Sequence, residues 1–321
     1  MNTPFFAAII SYFKRFQTIE YQLFDIIIAG YILLIGILLV PFHHHVPYWP
    51  LLSLFHLFLF ILLFEFLRLS EKNKHPVLDF IRLFYPVAAL LGGWVELNTI
   101  VTMIFPFWAN AYIVKLDVFV FGTHPTVWVE RLFTPWLTEI MNFSYTVYYL
   151  FIPVIGFVLF VQNKRQDAFD YFSSIMFTVV SCFVLYLLIP CEGAWTILKD
   201  LHTKIPTGGI FLKLNQFLQS HGSNEGCAFP SSHVSIAFTM ALAALKYKRP
   251  LGYLALLNAI GVAASTVYLR YHHGVDSLSG IVMGIVCYLI SEHLIDKWKD
   301  YQNRPLKLNY QKTEVIQLVD V

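Results

Sequence analysis

Long apolar stretches separated by short polar segments dominate the chain, and most of them are long enough to cross a bilayer as a helix. A spanning helix needs roughly 20 mainly apolar residues to cross the hydrocarbon core. The third stretch is interrupted by Arg82, Pro86 and Glu96, and the sixth is short. The pattern predicts eight spans, at about 24–41, 50–69, 80–105, 141–161, 171–190, 231–246, 250–269 and 275–295.

Two regions between the spans are too polar to cross a membrane. Residues 109–140 and 191–229 predict helices that lie on the surface, including a short interfacial helix at 210–220. The N-terminal stretch is amphipathic and rich in Phe, which predicts an interfacial helix. We therefore expect an interfacial segment at 1–23, a single membrane-embedded domain at 24–299 and a polar, disordered tail at 300–321.

Composition narrows the class of protein. The chain is 57% hydrophobic and 13% charged, whereas soluble domains carry about 25% charged residues. The predicted fold class is therefore all-α, a polytopic helical bundle in a membrane. A net charge of +2 gives no support for nucleic-acid binding.

The distribution of basic residues predicts the orientation of the bundle. Most of the 22 Lys and Arg residues fall in segments on one side of the predicted spans. Because positively charged loops stay on the cytoplasmic side, we expect both termini in the cytoplasm. The start of the sixth span and the end of the seventh then lie together at the outer face.

Two polar segments meet at that outer level. Residues 229–233 read Phe-Pro-Ser-Ser-His, and residues 267–276 read Val-Tyr-Leu-Arg-Tyr-His-His-Gly-Val-Asp. Ionisable groups at membrane depth are costly, so they are functional candidates by default. Histidine, serine and arginine at helix ends favour an anionic ligand such as a phosphate.

The spacing suggests how these residues could divide a phosphoryl transfer. His272 and Asp276 are four apart, so on a helix the carboxylate could orient the imidazole as a nucleophile toward phosphorus. His233 would protonate the leaving oxygen. No metal or other cofactor is needed for this scheme. The phosphate oxygens would be held by Arg270, Ser231 and Ser232.

At these residues the chain resembles the type-2 phosphatidic acid phosphatase superfamily. The Phe229–His233 segment resembles its Pro-Ser-Gly-His motif, and the Ser265–Asp276 segment resembles its Ser-Arg-x5-His-x3-Asp motif. The resemblance covers roughly 171–295. It implies the same roles for Ser231, His233, His272 and Asp276.

The chain departs from the family pattern in places that matter for phosphate binding. Ser232 replaces a glycine, Thr266 stands where the family has Arg, and Arg270 precedes His272 by two. This arrangement resembles the inositol phosphorylceramide synthase branch and a related bacterial subfamily, which implies a bacterial inner membrane with the site on the periplasmic face. The family's first motif is not recognisable, and Lys199 or Lys204 could substitute for it.

These motifs are compatible with three functions. The leading one is a membrane lipid phosphatase that hydrolyses a phosphomonoester of a phospholipid through a phosphohistidine. The alternative is a head-group transferase of the inositol phosphorylceramide synthase type, in which a lipid hydroxyl or polyol accepts the phosphoryl group. The third is a non-enzymatic lipid transporter.

Other residues admit two interpretations. His273 is an alternative nucleophile, although its spacing to Asp276 favours His272. Cys191 and Cys227 fall in one loop and either pair as a disulfide or remain free thiols.

Polar groups within the spans also have a structural interpretation. Arg82 and Glu96 could form a buried pair, and a structural role is expected for Arg82. Tyr145, Tyr148 and Tyr149 are expected in an aromatic belt or at a lipid entrance.

Overall fold

The computed structural model describes residues 19–73 and 75–303, so most of the predicted N-terminal interfacial segment lies outside the described residues. The described part is built from α-helices and short 3₁₀ turns, with no β-strand. The helices are α1 (Leu23–Leu38), α2 (Trp49–Lys72), α3 (Pro76–Ile100), α4 (Asn110–Phe121), α5 (Pro125–Trp128), α6 (Pro135–Val161), α7 (Arg165–Leu188), α8 (Ala194–Ile197), α9 (Ile210–Gly222), α10 (Ser232–Tyr247), α11 (Arg249–Tyr268) and α12 (Gly274–Gln302).

The predicted all-α polytopic fold is confirmed. Each of the eight predicted spans is a helix, and six of these helices are long and apolar enough to cross a membrane. The other two, α1 and α10, have 16 residues each. Helix α6 begins at Pro135 rather than near 141, because proline is well suited to the first turn of a helix. Helix α12 continues to Gln302, so the first residues of the predicted tail are helical.

Helix α10 lies at the centre of the bundle, in contact with α7, α11 and α12. Two glycines of α12 allow the close approach of these helices. A Cβ atom added to Gly280 would lie 2.8 Å from the Ser231 carbonyl oxygen, and one added to Gly284 would lie 2.5 Å from that of Ser235. Small residues four apart let two membrane helices bring their backbones together. This contact sets the start of α10 beside the start of α12.

Hydroxyl groups join the same helices inside the bundle. Thr239 of α10 donates to the Gly284 carbonyl at 2.9 Å and lies 2.9 Å from the Thr178 hydroxyl of α7. Ser291 of α12 donates to Ser174 of α7 at 2.9 Å. Polar groups in a hydrocarbon environment need partners within the protein, and these bonds supply them while fixing the register of α7, α10 and α12.

Arg82 and Glu96 have separate partners rather than each other. The Arg82 guanidinium donates to Asp25 at 2.9 Å and is buried. Glu96 lies 3.0 Å from the His56 imidazole. Arg82 thus ties α3 to α1, and the buried Arg82–Glu96 pair considered from the sequence does not form.

The two polar regions between the spans form short helices and loops, as expected. Helix α4 packs on α12, and α9 packs on α6. The loops on either side of α9 meet where the Cys191 N–H donates to the Gly226 carbonyl at 3.1 Å and the Ala228 N–H donates to the Cys191 carbonyl at 2.9 Å. The thiols of Cys191 and Cys227 are both free.

Candidate active site

A cavity of about 490 Å³ opens where the starts of α10 and α12 meet. It is covered by α9 and by the loops around residues 192–196 and 223–228. Of the residues expected at a catalytic site, His233 and His272 line it. Their ring centroids are 6.0 Å apart. The cavity therefore brings together a histidine from the first turn of α10 and one from the turn between α11 and α12.

The His272 imidazole is held by a backbone carbonyl. Its Nδ1 lies 2.9 Å from the carbonyl oxygen of Ala228 and 3.6 Å from Oδ2 of Asp276. A carbonyl can only accept, so Nδ1 carries the proton and donates it. Nε2 is then left with its lone pair, which is the tautomer that a nucleophilic histidine requires.

Asp276 has a second task at the start of α12. Its Oδ2 accepts the backbone N–H of His273 at 2.7 Å, which caps the helix. The carboxylate is fully buried. Asp276 therefore lies beside His272, as the spacing of four residues predicted. The Ala228 carbonyl, however, accepts the hydrogen bond from Nδ1, and this partner was not predicted from the sequence.

His233 is in contact with two tyrosines of α6. Its Nε2 lies 3.0 Å from the Tyr145 hydroxyl and 2.9 Å from the Tyr149 hydroxyl. Gln219 of α9 donates to the Tyr145 hydroxyl at 3.1 Å. The aromatic-belt interpretation misses this contact for Tyr145 and Tyr149, although their spacing of four could have suggested a shared helix face.

The two serines lie at the buried start of α10. The Ser231 N–H donates to the Asp276 carbonyl at 3.0 Å, and the Ser232 N–H donates to the Tyr186 hydroxyl at 3.0 Å. The Ser231 hydroxyl is buried and has no partner among the described residues. Neither serine is among the residues that line the cavity. These bonds tie the start of α10 to α7 and α12.

The Arg270 side chain is not among those that line the cavity. Its guanidinium donates to Glu130 at 2.7 Å and to the Lys204 carbonyl, and it lies over the rings of Phe133 and Trp195. Arg270 is 2% exposed. The sequence predicts that Arg270 binds phosphate oxygens, whereas in this structure its guanidinium is paired with the Glu130 carboxylate. The side chains of Lys199 and Lys204 also lie outside the cavity lining.

Asp117 of α4 contacts the start of α12. Its Oδ1 accepts the Val275 N–H at 2.9 Å, and its Oδ2 lies 3.9 Å from Nδ1 of His273. Burial raises the pKa of Asp117 to about 6. His273 is fully buried against Asp117 and does not line the cavity, whereas His272 does.

Comparisons with known proteins agree with this location. A family model described as the PAP2 superfamily matches residues 111–290, a range that includes both histidine segments. A PA-phosphatase related-family protein of Dictyostelium discoideum is 37% identical over 62 residues, which cover 19% of this chain and 11% of that protein. A putative undecaprenyl-diphosphatase of Escherichia coli (strain K12) is 26% identical over 158 residues, which cover 47% of this chain and 70% of that protein. No solved structure matches the chain significantly.

Proposed function

We propose that this chain, which belongs to the PAP2 superfamily, is a membrane-embedded phosphoric ester hydrolase that acts on a phospholipid through a phosphohistidine. The observation that carries the proposal is the pair of histidines facing one cavity, with His272 held by the Ala228 carbonyl so that Nε2 is free to attack. Superfamily membership supports phosphatase-type chemistry. The phosphohistidine and the lipid substrate are our extension of it.

In the first step, the lone pair on Nε2 of His272 attacks phosphorus and the bond from phosphorus to the lipid oxygen breaks. The imidazole gains positive charge as the bond forms. The Ala228 carbonyl at 2.9 Å and the Asp276 carboxylate at 3.6 Å stabilise that charge. This pair of oxygens makes His272, rather than His273, the nucleophile in our proposal.

His233 serves as the general acid and then as the general base. When protonated, it donates to the departing lipid oxygen, and it later takes a proton from the water that attacks the phosphohistidine. Tyr145 and Tyr149 hold its Nε2 and limit rotation of the ring, so we assign the proton transfer to Nδ1, which has no partner among the described residues. At the start of α10 the N–H groups of Ser231 and Ser232 are already bonded within the protein, so we assign the phosphate oxygens to the next N–H groups, those of His233 and Val234.

The test is phosphoryl release from phospholipids by the purified protein, compared with His272→Ala. We expect the variant to lose at least about a thousandfold in rate, as expected when a nucleophile is removed. Rapid quenching of the wild type should trap a phosphoryl group on His272. His44→Ala is the matched control, because His44 lies in an exposed turn away from the cavity. Equal phosphoryl release by wild type and His272→Ala would refute the proposal that His272 is the nucleophile, whereas no release by the wild type would favour the transporter hypothesis.

Head-group transfer is the second candidate, because a cavity of about 490 Å³ exceeds the space that one phosphate needs. An acceptor hydroxyl could then occupy the remainder and replace water in the second step. The two reactions separate in one assay: a hydrolase releases product without an added acceptor, while a transferase requires diacylglycerol, ceramide or inositol.

A further inference from the structure

The charges around the cavity are unusual for a site that binds phosphate. Among the described residues that line it there is no Lys or Arg, while Glu192 and Glu225 are both present. His233 and His272 are the lining groups that could become positively charged. The nearby cation, Arg270, is paired with Glu130 at 2.7 Å.

This set of charges discriminates between two kinds of phosphate ester. A phosphomonoester carries about 1.5 to 2 negative charges at neutral pH, because its second pKa is near 6. A phosphodiester carries one. Two carboxylates, Glu192 half-buried and Glu225 exposed, and no fixed cation make the dianion the poorer ligand, since they repel its second negative charge.

The aromatic lining suggests what occupies the acidic part of the cavity. Trp94, Tyr145, Trp195 and Tyr271 all line it. The Trp94 ring lies 5.8 Å from the His233 ring, and the Tyr145 and Tyr271 rings are 5.1 Å apart. Aromatic faces together with carboxylates bind organic ammonium groups through cation–π and charge attraction.

We propose that the preferred substrate is a phosphodiester lipid whose head group carries an ammonium cation, with the cation between the aromatic rings and Glu192 and Glu225. This inference rests on the proposed function. His272 attacks phosphorus, the bond to the diacylglycerol oxygen breaks, and His233 protonates that oxygen. The head-group phosphate remains on His272 until water attacks phosphorus, the phosphorus–nitrogen bond breaks and His233 takes the proton from the water.

The first test is a panel of lipids with identical acyl chains, presented to the purified protein in detergent micelles. The panel is phosphatidylcholine, phosphatidylethanolamine, phosphatidylglycerol and phosphatidic acid, and diacylglycerol release is measured. We expect the two ammonium lipids to exceed phosphatidic acid by about tenfold or more in kcat/KM, the size expected from one or two desolvated charge contacts. Phosphatidylglycerol, a diester without a cation, should fall between them.

The second test changes the carboxylates. Glu192→Gln with Glu225→Gln should lower kcat/KM for phosphatidylcholine about tenfold and leave phosphatidylglycerol within about twofold. Glu225→Lys should raise the ratio of phosphatidic acid to phosphatidylcholine turnover. Glu71→Gln is the control, because Glu71 lines a separate cavity and should change neither ratio.

The outcomes separate this inference from the proposed function. Turnover of phosphatidic acid alone, lost in His272→Ala, would overturn the ammonium head group and leave the hydrolase intact. Equal turnover of phosphatidylglycerol and phosphatidylcholine would also overturn it. No turnover of any lipid in the panel, with or without an acceptor, would overturn both.

Discussion

Replacing Tyr145 and Tyr149 by Phe, singly and together, tests whether the tyrosines of α6 hold His233, the general acid in our proposal. The two hydroxyls lie 3.0 and 2.9 Å from the same nitrogen, Nε2. That nitrogen has either one proton or one lone pair, so it makes one strong hydrogen bond at a time. Each tyrosine can therefore replace the other, and the effects of the two substitutions should not add.

The magnitudes follow from this competition. A single substitution leaves one hydroxyl on Nε2, so we expect kcat to fall by about two- to fivefold, near the worth of an ordinary hydrogen bond of about 1 kcal/mol. The double variant leaves the histidine without either partner. A bond to a charged group is worth about 1.5–3 kcal/mol, so kcat should fall by about 10- to 150-fold. The coupling free energy should therefore be on the order of 1 kcal/mol.

The assay is kcat for lipid turnover as a function of pH for the wild type, the two single variants and the double variant. Tyr148→Phe is the matched control, because its ring lies 5.8 Å from the His233 ring on the same helix without its hydroxyl bonding to Nε2. Strictly additive effects of Tyr145→Phe and Tyr149→Phe would show that the hydroxyls act independently and would refute the competition. An equal loss in Tyr148→Phe would show that the effect is only packing.

Two further predictions concern stability in detergent. Gly284→Ala should lower the free energy of unfolding by about 1–3 kcal/mol, the cost of overpacking, because the new Cβ would lie 2.5 Å from the Ser235 carbonyl oxygen. Gly30→Ala is the control, because a Cβ there would have nothing within 4 Å and should change stability little. Equal midpoints of thermal unfolding for the two variants would contradict the close contact of α10 and α12. Burial raises the pKa of Asp117 from 3.8 to about 6, so the folded protein binds a proton at Asp117 more tightly than the unfolded chain does. The stability that this proton contributes is lost as pH rises through 6. Wild type should therefore lose stability relative to Asp117→Asn between about pH 4 and pH 6, and parallel stability curves for the two proteins would rule out this titration.

Part of the site was accessible from the sequence because its determinants are local. His272 and Asp276 are four apart, and a helix that begins between them places both on one side. The apolar length of a span is likewise a property of consecutive residues, so all eight predicted helices could be located. The ends were less accurate, as at Pro135 and Gln302, where a favourable first turn or continued packing extends the helix.

Partners distant in the chain could not be predicted in the same way. Arg270 was expected on phosphate, yet Glu130, 140 residues away in the sequence, neutralises it. The Tyr145 contact with His233 joins residues 88 apart. No periodicity in one segment specifies which residue of another segment will lie opposite it.

The sequence by itself therefore determined the membrane-embedded helical fold and the two histidine segments, because apolar length and helix spacing act over a few turns. Tertiary structure alone decided that the Ala228 carbonyl holds His272 at 2.9 Å, that tyrosines hold His233, and that the cavity lining carries carboxylates without Lys or Arg among the described residues. These features depend on how α6, α10 and α12 pack, since the packing sets distances between groups that no local pattern connects.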